Sequence, residues 1–127
     1  MSFNPPHRRH YIQRMSQTER GVKNRNTVIE PRVNIVDDVA AINAGKAEQN
    51  GETFLINGRT YGLHGSTLFP IAGPGFYLLN RAAYKALGVY NKFGNSVAAT
   101  EILDAMNINS VEREAALEAW RAGQGES

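Results

Sequence analysis

Along this chain the spacing of apolar residues changes character twice. Over residues 1–32 apolar positions are few and follow no period, and Pro5-Pro6 and Pro31 punctuate the segment. From Asn34 onward Ile35, Val39 and Ile42 recur at i, i+4 and i+7, the stripe of one helical face. Asn34 is suited to cap that helix, Asp37 and Asp38 sit where its dipole favours acids, and Gly45 is a natural stop. The period then shortens. Thr53-Phe54-Leu55-Ile56, Asn57-Gly58 and Arg59-Thr60-Tyr61 read as a hairpin over 53–61, because Asn-Gly supplies the two positive-φ residues of a type I′ turn. The run 63–72 is a candidate for one more strand, and Phe76-Tyr77-Leu78-Leu79 reads as the last one after a Gly73-Pro74-Gly75 turn.

Beyond Asn80 the helical period returns. Asn80 is placed to cap a helix carrying Tyr84 and Leu87, with Gly88 as a candidate break and Gly94 as its end. Ser96 is placed to cap a second helix with Ala99, Leu103 and Met106 on one face. Asn109 and Glu112 have capping-box spacing for a third helix, bearing Leu117 and Trp120 and ending at Gly123. Strands in succession flanked by helices predict an α+β fold. The expectation is a small antiparallel sheet, the 53–61 hairpin plus one or two short strands, against one N-terminal and about three C-terminal helices.

Composition adds an asymmetry to this outline. Residues 1–32 hold seven basic side chains (Arg8, Arg9, Arg14, Arg20, Lys23, Arg25, Arg32) against Glu19 and Glu30, whereas 33–127 hold seven basic and ten acidic. Two units are therefore expected: a basic, flexible arm over 1–32, with a short helix near 11–20 as a candidate, and a single compact domain over 33–127. Arg8, Arg9, Arg14, Arg20, Lys23 and Arg25 are the candidate contacts to nucleic acid or an acidic protein. The absence of cysteine excludes disulfides, thiolate metal sites and a cysteine nucleophile. No run approaches the ~20 apolar residues of a membrane span. The basic N-terminus has no apolar run behind it, so no secretory signal is expected and the cytoplasm is the expected compartment, a secreted effector being the other option.

Candidate chemistry centres on His64, in Tyr61-Gly62-Leu63-His64-Gly65-Ser66-Thr67. Glycines on both sides allow close approach, and an imidazole exchanges its proton near neutral pH. A ribonuclease working without a metal needs a base for the 2′-hydroxyl, an acid for the leaving oxygen and cations for the phosphorane. His64 with Arg59, Lys85 and Lys92 is the candidate catalytic set, and Tyr61, Ser66, Thr67, Tyr77 and Tyr90 are candidate substrate contacts. The plainer alternatives are a hairpin-end histidine bonded to a carbonyl and tyrosines half-buried at the core's rim. His7 and His10 lie among arginines, which discourage a divalent metal, so neither a metal nor any other cofactor is expected. Asp37, Asp38, Glu48 and Glu52 read as cap and surface charges.

Two resemblances bear on function. The short α+β order, the basic arm and one exposed-looking histidine resemble bacterial toxin-effector domains that cut RNA, which implies RNA as substrate and an inhibitory antitoxin or immunity protein as partner. The stretch His64-Gly65-Ser66-Thr67 with Gly75-Phe76-Tyr77 and Tyr84 resembles elements of ADP-ribosyltransferases, which implies NAD held by the histidine, with Glu101 nearest to that family's glutamate. A third reading is a binding module without chemistry, an antitoxin, immunity-like or adaptor protein using the arm for nucleic acid or an acidic partner. The last two helices have a helix-turn-helix outline, but Glu112, Glu114 and Glu118 suit packing or a partner surface better than a DNA groove.

Overall fold

The computed structural model describes residues 2–15 and 23–124. A single 3-10 turn (Arg8–His10) is followed by β1 (Asn26–Ile29), α1 (Ile35–Asn43), β2 (Glu48–Asn50), β3 (Thr53–Ile56), β4 (Arg59–His64), β5 (Thr67–Ala72) and β6 (Phe76–Leu79). Helices α2 (Arg81–Phe93), α3 (Val97–Ala105) and α4 (Ser110–Gly123) complete the chain. The fold is α+β, with an antiparallel meander β2-β3-β4-β5 and a separate antiparallel ribbon β1-β6.

Local chemistry accounts for most of the boundaries. Asn34, Asn80, Ser96 and Asn109 each accept a hydrogen bond from a backbone N–H in the first turn of the helix that follows, and Asn109 with Glu112 closes a full capping box. Asn57 and Gly58 take φ of 53° and 78°, joining β3 to β4 as a type I′ turn requires. Four elements depart from the expected outline. The run 63–72 is not one strand: β4 continues through His64, turns at Gly65-Ser66 and returns as β5. Gly88 does not break α2, because it is buried inside a helix that runs on to Gly94. The short exposed strand β2 pairs with β3, adding a hairpin ahead of the expected one. Finally, β1 lies within the segment expected to be a flexible arm.

That last difference changes the domain picture. Val28 and Leu79 pack into a core made by α2, α3 and α4, whereas Ile29 and Phe76 pack into a second core under the meander and α1. The β1-β6 ribbon is thus shared between two apolar clusters, and all four residues of β1 are buried. Ahead of it, Ile12 is fully buried and Met15 nearly so. The Tyr84 hydroxyl donates to the Arg9 carbonyl at 2.6 Å and the Asn91 amide to the Ile12 carbonyl at 2.6 Å. A boundary at residue 32 therefore does not separate a tail from a core. The expected helix near 11–20 falls partly outside the described residues, and over 11–15 the chain forms a turn.

Candidate active site at the tip of the β4-β5 hairpin

Side chains of a strand alternate between its two faces, and in β4 that parity sorts the candidate residues. Arg59, Tyr61 and Leu63 share the face turned to the α1 side of the sheet. Tyr61 is fully buried there, edge-on to the Phe76 ring at 5.4 Å between centroids. Gly62 and His64 share the opposite face, on which their β5 partners Phe69 and Thr67 also lie. A Cβ on Gly62 would come within 2.3 Å of the Phe69 ring, so the glycine lets that ring lie down on the sheet. His64 stands beyond it, exposed, at the end of the hairpin.

The N-terminal segment returns to this tip. The Asn4 N–H donates to the Ser66 carbonyl at 2.8 Å, and the Asn4 carbonyl accepts from the Leu68 N–H at 2.9 Å. Asn4 thereby runs beside β5, and the residues after it reach the 3-10 turn that His7 caps and His10 ends. The result is a cleft of about 390 Å³ lined by His7, Arg9, His10, Lys23, Arg25 and Asn26 on one side and by His64, Thr67, Phe69, Ile71 and Leu78 among the others. Among the described residues, no acidic side chain lines it. Larger depressions of about 590 and 800 Å³ contain Glu112 and Glu30 respectively and, among the described residues, no histidine.

The hydrogen bonds of two imidazoles specify their tautomers. His10 Nδ1 lies 3.0 Å from the Thr27 carbonyl, which can only accept, so Nδ1 carries the proton and Nε2 keeps its lone pair. Burial, chiefly, lowers the pKa of His10; Arg9, His7 and Lys23 add to the effect against the opposing carbonyl bond, and the ring is neutral at neutral pH. His7 Nδ1 accepts from the Arg9 N–H at 3.3 Å, which leaves the His7 proton on Nε2. Among the described residues, the side chains of Lys23, Arg25 and His64 make no hydrogen bond or ion pair. Likewise no group of three or more histidine or acidic side chains is set to hold a metal ion.

The other expected site residues lie elsewhere, each for a visible reason. Arg59 sits at the far end of β4 from His64, roughly 16 Å along the strand, with its Nε 2.7 Å from Asp38. Asp38 is not the surface charge its position in α1 implies: it is fully buried and also accepts from Asn57 and from the Tyr61 hydroxyl. Burial alone would raise its pKa, but the Arg59, Tyr61 and Asn57 donors together outweigh this and hold the carboxyl below its ordinary range. Burial, with the carboxylate beside it, pushes the Tyr61 phenol well above its ordinary range. Tyr61 and Arg59 are therefore parts of a structural knot. Tyr77 donates to Glu30 at 3.0 Å, and Tyr90 is buried among the helices beside Trp120. Lys85 lines the depression near Asn80, and Lys92 lies over the Phe93 ring.

Ser66 stays at the tip, where its hydroxyl meets the Asn4 amide at 3.4 Å, and Thr67 lines the cleft. Of the arm's cations, Arg9, Lys23 and Arg25 face the cleft, Arg14 lies over the Tyr11 ring, Arg8 reaches the Arg14 carbonyl, and Arg20 lies outside the described residues. Tyr84 is buried and Glu101 is on the exposed side of α3, so the elements of the ADP-ribosyltransferase resemblance are not gathered with His64. Sequence reasoning missed His10 as a companion of His64. The one available signal was the apolar Tyr11-Ile12 pair, which hints that the basic segment docks. Comparison with protein-family models, curated proteins and solved structures finds no match. Among the described residues no helix is long and apolar enough to cross a membrane.

Proposed function

We propose that this chain is a small ribonuclease that cleaves RNA by transfer to its own 2′-hydroxyl, using two imidazoles in place of a metal ion. The observation that carries the reading is the convergence of His10 and His64, from distant segments, on one cleft whose charged lining is cationic among the described residues. The neutral His10, with its lone pair on Nε2, is the base that takes the 2′-hydroxyl proton. The 2′-oxygen then bonds to phosphorus while the bond from phosphorus to the 5′-oxygen breaks. His64 gives that leaving oxygen a proton. The products are a 2′,3′-cyclic phosphate end and a 5′-hydroxyl end. Arg9, Lys23 and Arg25 are placed to neutralise the phosphorane, and the His7 Nε2–H is a further donor.

A toxin role, and an acidic inhibitory protein that covers the cationic rim, belong to the same reading. The test is cleavage of end-labelled RNA in EDTA by the wild type, His64→Ala and His10→Ala, with melting curves to confirm folding. Loss of either imidazole is expected to slow cleavage about 10²- to 10⁴-fold. A folded wild type that leaves RNA intact refutes the proposal.

A further inference from the structure

The cationic rim of the cleft leaves its floor unexplained, because neutralising a phosphate requires no apolar surface. The floor is formed by Phe69 and Ile71 with Leu78 beside them, and Leu78 is 57 % exposed. One face of the Phe69 ring rests on Gly62, where any side chain would collide with it, and the residue is only half-buried. A flat aromatic ring supported from beneath, next to an exposed leucine and bordered by histidines and arginines, matches the shape and polarity of a nucleotide. The base finds an apolar, π-bearing platform, and its phosphates find the cations.

Resting on the ribonuclease reading of the same cleft, we infer that its substrate is single-stranded RNA, gripped by stacking of one base on Phe69 beside Leu78. A duplex buries its base faces against one another and offers the cleft only phosphates and groove edges, so paired RNA is discriminated against. Phe69 is in this account a specificity-determining residue and not a proton-transfer group.

The experiment uses the full chain and a fluorescently labelled RNA of about ten nucleotides, 2′-O-methylated throughout so that cleavage cannot occur. Binding is measured by anisotropy for the single strand and for its duplex. Phe69→Leu retains apolar cover over Gly62 and removes the aromatic face, whereas Phe69→Tyr retains both. Phe69→Leu is expected to weaken single-strand binding about 5- to 100-fold with an unchanged melting temperature. Phe69→Tyr restores it, and the duplex binds at least about tenfold more weakly than the single strand. Equal affinity of Phe69→Leu and wild type overturns the stacking role. Equal affinity for strand and duplex overturns the substrate class. Absence of binding to either nucleic acid, including where the cleft captures only an acidic protein, overturns the inference together with the ribonuclease reading. Phe69-dependent binding of the methylated strand without cleavage of ordinary RNA sinks the ribonuclease reading and leaves the single-strand site standing.

Discussion

Replacing Asp38 by asparagine tests whether Arg59 and Tyr61 serve the fold or the chemistry. The carboxylate is 1 % exposed and its Arg59 partner 14 % exposed. One oxygen accepts from Asn57 at 2.9 Å and from the second guanidinium nitrogen at 3.0 Å. The other accepts from Arg59 Nε at 2.7 Å and from the Tyr61 hydroxyl. An amide nitrogen in place of either oxygen points hydrogens at two donors, and the guanidinium loses its only described counter-charge. Breaking a buried pair in this one-sided way costs about 3–5 kcal/mol. At roughly 4 °C per kcal/mol for a chain of this size, the melting temperature falls by about 12–20 °C. Urea denaturation should give the same loss with an unchanged dependence on denaturant. Adding Arg59→Met to Asp38→Asn should recover part of it, because no unpaired cation then remains. RNA cleavage well below the melting temperature should be untouched. A loss under about 1 kcal/mol, or abolished cleavage in a fully stable variant, refutes the assignment of this knot to structure.

Two further outcomes follow from the packing. Ile12 is fully buried, and its Cγ2 lies where a side chain on Gly123 would have to go, so Ile12→Ala should cost about 2–5 kcal/mol in urea denaturation. A flexible arm would give a change within about 0.5 kcal/mol. For His10, burial places the folded-state pKa below the ordinary 6.5, so folding favours the neutral ring. The resulting stability is fully present above pH 6.5 and is lost as pH falls from there through the folded pKa. Wild type should therefore lose more stability than His10→Gln between pH 7.5 and pH 5, and parallel pH profiles of the two would contradict the half-buried, neutral imidazole.

What the sequence discloses is what short-range chemistry controls. The caps at Asn34, Asn80, Ser96 and Asn109 act within one helical turn, and Asn57-Gly58 encodes its own turn, so each was readable without knowledge of the rest. Strand β1 was not, because Thr27-Val28-Ile29 is buried on both faces and shows no alternation, and its partner β6 lies about fifty residues away in sequence. Asp38 looked like a dipole-matched surface acid because nothing local reveals that Arg59 and Tyr61 fold over it. His64 could be singled out from its flanking glycines. Its proposed companions were legible only in part: the odd and even numbering of β4 already separates Arg59 and Tyr61 from His64, whereas the return of His7 and His10 depends on Asn4 pairing beside β5. Long-range docking of that kind leaves no periodic trace.

The proposed chemistry depends on the imidazole pair using the substrate's own 2′-hydroxyl. The most direct measurement is incubation in EDTA with a DNA strand containing a single ribonucleotide, followed by mass analysis of the fragment ends. Cleavage only on the 3′ side of that ribonucleotide, leaving a 2′,3′-cyclic phosphate and a 5′-hydroxyl, and lost in both His10→Ala and His64→Ala, is the predicted result. An intact strand, cuts at deoxynucleotides, or undiminished cleavage by either variant would contradict it.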